Sequence, residues 1–177
     1  MKIAIDIGHA RNTGAVGVTK ENEHEVSARV AWHLKDFLDK QGHAADIVDF
    51  PWESNTDDLN HAIKAVAAGG YELCISLHCD SHTNASACGA HACYYSSAGQ
   101  KLAACIAYSL ATLMPGRAEK TVKRTGLAIL NSTRPVAVLV EMGFITNATD
   151  ALIQRDHPDL IAQRIGQGII NYLRSAE

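Results

Sequence analysis

The sequence is short of several things, and each shortage removes a class of protein. No run of about 18 consecutive apolar residues occurs in the 177-residue chain, so nothing in it reads as a membrane-spanning helix. The N-terminus "MKIAIDIGHA" carries Asp6 and lacks a sustained apolar core, which argues against a secretory signal peptide. Basic residues are not in excess. Sixteen Lys and Arg against 19 Asp and Glu leave a net charge of −3, a poor match for nucleic acid or an anionic membrane surface. The five cysteines (Cys74, Cys79, Cys88, Cys93 and Cys105) are odd in number and contain no C-x-x-C pair. That argues against both a complete disulfide framework and a zinc knuckle, and the expectation is reduced, mostly buried thiols. No Pro- or Ser-rich linker and no internal repeat divides the chain, so residues 1–177 are expected to form one domain. The loop "GHARNTGAVG" is glycine-containing but has neither G-x-G-x-x-G nor G-K-[ST], which leaves a phosphate-binding reading without support.

What is present is an alternation of strands and helices. "KIAIDI" and "AADIVDF" read as strands, "YELCISLH" as a third and "AHACYY" as a fourth, with "LAIL" and "VAVLVE" as two more. Between them lie an amphipathic helix from about Glu23 to Lys40, a second over Asp57 to Ala68 and a third from about Ser97 to Leu113. The chain closes with two helices, the second opened by Pro158. The expectation is an α/β fold, a mostly parallel twisted sheet of about six strands with helices on both faces.

In an open parallel sheet, ligands bind outside the carboxyl ends of the strands. His9 follows the first strand, His78 ends the third, and Glu141 ends the apolar run "VAVLV", where a buried carboxylate has no structural purpose. A single histidine at such a position is more often a hydrogen-bonded loop residue. Three ionisable groups at one sheet edge are a different matter. The first helix adds Glu23, which projects near the centre of the stripe made by Val26, Val30, Leu34, Phe37 and Leu38, whereas Glu21 and Glu25 point away. Helix capping is the plain alternative for Glu23; a cation is the other way to compensate an inward carboxylate. Two histidines and a carboxylate form a common catalytic zinc set with a position left open to water.

These residues sit in "DIGH", "NEHEVS", "CISLHCDS" and "VLVEMGFITN". Together the motifs make the chain resemble, over essentially its full length, the zinc-dependent N-acetylmuramoyl-L-alanine amidases of the amidase-3 family. The resemblance implies His9, Glu23 and His78 as zinc ligands and Glu141 as catalytic acid/base. It implies a substrate, the amide between N-acetylmuramic acid and L-alanine in peptidoglycan, and hydrolysis by metal-activated water. The short plan, with no signal sequence, is similar to a phage or prophage endolysin. It implies a protein that stays cytoplasmic until release to the cell wall, or a domain excised from an exported one.

Three departures bear on the substrate side: "GHAR" where the family commonly has "GHGG", Asp80 where Asn is common, and no Arg in "DFPWESNTDDLNHAIKAV". His82 is a candidate substrate contact, while His24, His33, His43, His61, His91 and His157 are expected as surface or capping groups. Cys79 follows His78, but adjacent strand residues point to opposite faces. Two other functions keep the same zinc site: a catalytically silent peptidoglycan-binding or regulatory protein, and a zinc peptidase cutting elsewhere in the stem peptide.

Overall fold

The computed structural model describes residues 1–11, 13–52 and 54–175. Strands β1 (Lys2–Ile7), β2 (Ala44–Val48), β3 (Leu73–Asp80), β4 (His91–Tyr94), β5 (Thr121–Lys123) and β6 (Val136–Phe144) form one sheet in the order β2-β1-β3-β6-β4-β5. β2, β1, β3 and β6 run parallel; β4 lies antiparallel to β6, and β5 is parallel to β4. The helices are α1 (Glu23–Lys40), α2 (Asn55–Ala68), α3 (Ser97–Leu110), α4 (Ala128–Asn131), α5 (Ala148–Asp156) and α6 (Pro158–Arg174). Among the described residues, no helix is long and apolar enough to cross a membrane.

Strand alternation divides the core in two. Ile3, Ile5 and Ile7 of β1, Leu73, Ile75 and Leu77 of β3, and Val138, Val140 and Met142 of β6 pack against α1, α3 and α6. Their neighbours Ala4, Cys74, Ala137 and Leu139 face the other way, into a smaller cluster with Ala62 and Val66 of α2 and Ile129 and Leu130 of α4. Helices therefore cover both faces, but the second cover is thin.

One expected strand is replaced. "LAIL" forms the single turn of α4, because Ile129 and Leu130 are both buried in the same cluster, and consecutive residues of a strand cannot share a face. The sixth strand is instead the three-residue β5, too short to stand out by pattern. Two strands also run further than expected. His78 and Glu141 lie inside β3 and β6 and are paired in register, with an irregularity between His78 and Asp80 where the strands approach the carboxyl edge.

Two histidines expected at the surface are buried. His24 is 7% exposed and its Nε2 lies 3.0 Å from Asp49 Oδ1, while His91 is 3% exposed within β4. All five cysteines are free thiols, and Cys79 belongs to the core on the α1 side, away from His78.

Candidate active site

The start of α1 shows why Glu23 is free to turn inward. Asn22 caps the helix by accepting from Glu25 N–H, and the Glu25 carboxylate accepts in return from Asn22 N–H, a reciprocal capping box. Capping thus falls to Asn22 and Glu25. Glu23, 4% exposed, extends over the ends of β1 and β3. Its Oε1 accepts from Cys79 N–H at 3.0 Å and lies 3.1 Å from His78 Nδ1; its Oε2 accepts from Ala15 N–H at 3.0 Å and lies 3.3 Å from His9 Nε2.

The loop after β1 is shaped to admit the two imidazoles. A side chain on Gly8 would place its Cβ 2.2 Å from the His78 ring, so only glycine leaves room for that ring. His9 itself adopts a left-handed backbone conformation, φ 65°, an uncommon state for a residue with a side chain. The rings stand edge-on, centroids 5.0 Å apart. One donor atom from each of His9, Glu23 and His78 lies within 4.8 Å of the others.

Electrostatics at this cluster call for positive charge. Burial opposes ionisation of Glu23, yet hydrogen bonds and charge from His78 and His9 more than offset it and hold the carboxyl well below its usual range. His9 is raised in return, chiefly by its hydrogen bond to Glu23. Burial lowers His78, but Glu23 and the charges of Glu141 and Asp6 outweigh it and leave the group raised. A buried carboxylate flanked by two imidazoles suits a divalent cation of borderline softness, and two N donors with one O donor match zinc.

Asn55, at the first turn of α2, was not singled out in the sequence. Its Oδ1 lies 3.0 Å from His9 Nδ1 and accepts from Thr13 Oγ1 at 3.2 Å. With Nδ1–H donating to that oxygen, the ring is oriented so that Nε2 faces Glu23, and the proton shared there is the one a metal ion would displace. Nothing in the local pattern marks this Asn, since it stands 46 residues from the histidine it holds.

A groove of about 740 Å³ opens over His9, His78 and Glu141 and continues past Asp80 and His82 to Arg117 and Arg124. His82 is exposed on its rim. Glu141 Oε2 is buried and has no hydrogen-bond partner among the described residues. Burial pushes the Glu141 carboxyl up to about 7; Asp80 and Glu23 act the same way, and His78 and His9 act against it. The far end of the motif is structural. Asn147 caps α5, and Asp150 accepts from Gly89 N–H at 2.8 Å and Phe144 N–H at 2.9 Å, tying the end of β6 to the loop before β4.

The family model described as N-acetylmuramoyl-L-alanine amidase matches residues 3–171. The chain belongs to this family. The germination-specific N-acetylmuramoyl-L-alanine amidase of Bacillus subtilis (strain 168) is 26% identical over 189 residues, which covers 96% of this chain and 78% of that protein. The amidase LytC of the same strain is 31% identical over 183 residues, covering 97% of this chain but 35% of LytC. Among solved structures, the catalytic domain of an endolysin targeting Clostridia difficile superimposes with a TM-score of 0.88 at 32% identity, covering 97% of each chain. The CwlD amidase of Clostridioides difficile shares the fold, with a TM-score of 0.88 at 18% identity.

Proposed function

We propose that the whole chain acts as one catalytic domain, a zinc-dependent hydrolase that cleaves the amide between N-acetylmuramic acid and the L-alanine of the peptidoglycan stem. What carries this reading is the convergence of His9, Glu23 and His78, together with the buried, unpartnered oxygen of Glu141 in the groove that the two histidines also line. His9, Glu23 and His78 would hold the metal. When bound, zinc supplies Lewis acidity, polarising the lactyl carbonyl and lowering the pKa of water to about 7.

The remaining work falls to side chains. Asn55 fixes the tautomer and orientation of His9. The backbone amides of Ala15 and Cys79 hold the Glu23 carboxylate in place before any ligand arrives. Glu141 Oε2 takes a proton from the attacking water and returns it to the alanine amine as the C–N bond breaks. No covalent bond to the protein is required, and the groove lets the glycan and the stem peptide lie on either side of the scissile amide.

The test is end-group analysis of purified peptidoglycan digested with zinc-loaded protein. New L-alanine amino termini without new reducing sugar ends are the expected result. New amino termini from another residue would make the protein a stem peptidase. No new ends, with zinc confirmed in the protein, would make it a binding protein.

A further inference from the structure

One wall of the groove carries charge that the cleavage step does not use. Arg117, half-buried in the segment before β5, and Arg124, exposed just after β5, both line the cavity that contains Glu141. They arrive from different segments yet act on the same two groups, Asp80 and His91. Like charges converge there at a cost unless an anion lies between them. Among the described residues, neither guanidinium forms an ion pair within 4.0 Å. Arg117 stacks over the Phe144 ring with 5.7 Å to the centroid, which steers its fork without neutralising it, and Arg124 lines the groove beside Cys93. Arg117, Arg124 and Lys123 set three positive charges in the groove lining against the carboxyls of Asp80 and Glu141, a positive surplus on a chain whose net charge is −3.

We propose that Arg117 and Arg124 form a carboxylate subsite for the stem peptide, taking the free α-carboxylate of the γ-linked D-glutamate that follows L-alanine. This rests on the amidase reading above and names the part of the substrate that the groove selects. The reach is consistent. Asp80, which both arginines approach, lies two strand residues beyond His78, about 7 Å along β3. The second stem residue lies about the same distance from the scissile amide in an extended peptide. A guanidinium fork donates two parallel hydrogen bonds to a carboxylate, whereas a carboxamide offers one acceptor oxygen and no charge. The subsite therefore distinguishes walls with free D-glutamate from walls in which that carboxylate is amidated to isoglutamine.

The experiment compares two synthetic substrates with zinc-loaded full-length protein. One is N-acetylmuramoyl-L-Ala-γ-D-Glu-L-Lys capped as its C-terminal amide; the other carries D-isoglutamine in place of D-Glu. The acid is expected to be cleaved with a kcat/KM higher by about 10- to 100-fold, the worth of one charge-assisted hydrogen bond. Arg124→Gln and Arg117→Gln each compress that ratio, mainly through the KM of the acid substrate. Added salt compresses it as well, which a purely structural role for the arginines would not produce. Arg124 is exposed, so its variant keeps the test sound where loss of the Arg117–Phe144 contact disturbs folding.

Equal rates on the two substrates overturn the subsite while leaving the amidase intact. Variants that slow both substrates by the same factor overturn it too. Cleavage of neither substrate overturns the amidase reading, and the subsite with it.

Discussion

The two faces of the central strands behave as two different materials. On β3, Ile75 and Leu77 are wholly buried against α1, α3 and α6, while Ser76 and His78, between and after them, face the thin cover of α2 and α4. On β6, Val138 and Val140 join the first face and Glu141 the second. The thick side is apolar and closed. The thin side retains a cavity of about 150 Å³ bordered by Asp6, Ser76, Asp58 and His78, and next to it lies the open groove. Strand alternation thus lets one set of strands supply stability on one face and chemistry on the other, and a substitution should harm one property or the other according to its parity.

The largest expected effect lies on the open face. Glu141→Ala should lose about 10²–10⁴-fold in turnover, roughly 3–5 kcal/mol of barrier, with fold and bound zinc retained. Steady-state rates on peptidoglycan, circular dichroism and elemental analysis together check it. Unchanged turnover in a zinc-loaded variant would remove Glu141 from the mechanism.

Adjacent residues of β3 sharpen the comparison. Leu77→Ala, on the closed face, should cost about 2–5 kcal/mol in urea unfolding because the packed surroundings cannot collapse into the space. His78→Ala, one residue on, should change metal-free stability much less but abolish stoichiometric zinc. Full zinc occupancy in that variant would break the parity rule at the position where it matters most.

A smaller effect is expected at Asn55, which touches His9 and not the reacting atoms. Asn55→Ala should weaken zinc binding by about 10–100-fold, measured by competition with a chelator. An affinity equal to wild type would mean that the loop conformation of His9 alone sets the ring.

Much of this division is legible in the sequence. The stripe of α1 predicts that Glu23 turns inward and Glu25 outward, and so it stands in the structure. The position of His78 after "YELCISL" and of Glu141 after "VAVLV" places both at the sheet's business end, although the strands run on beyond them. What sequence does not display is contact between distant segments. Asn55 reaches His9 across 46 residues, Asp49 reaches His24 across 25, and His91 is buried because β4 inserts beside β6. Arg117 and Arg124 stand in a stretch with no regular pattern, and only the return of β5 alongside β4 brings them to the groove. Short elements fail for a related reason. Four apolar residues such as "LAIL" suit a strand or a helical turn, and packing decides between them.

The subtlest difference between the faces is their response to pH. Asp58 of α2 is 5% exposed, and its Oδ1 has no partner among the described residues. Burial raises its pKa from 3.8 to about 6; Asp6 of β1 and Asp49 after β2 add to the rise, while the Phe50 amide and His24 of α1 oppose it. Because the folded pKa lies above the unfolded one, the stability associated with the neutral carboxyl is present below pH 3.8 and is lost as pH rises through about 6. Asp58→Asn keeps an acceptor for the Phe50 amide and removes the charge. After allowance for solvent screening, it should raise stability by about 1 kcal/mol near pH 7.5, with the gain shrinking toward pH 4. Urea titrations at the two pH values read this directly. A gain of equal size at both would assign the effect to packing in the 150 Å³ cavity rather than to the buried charge, and the open face would then resemble the closed one in this respect.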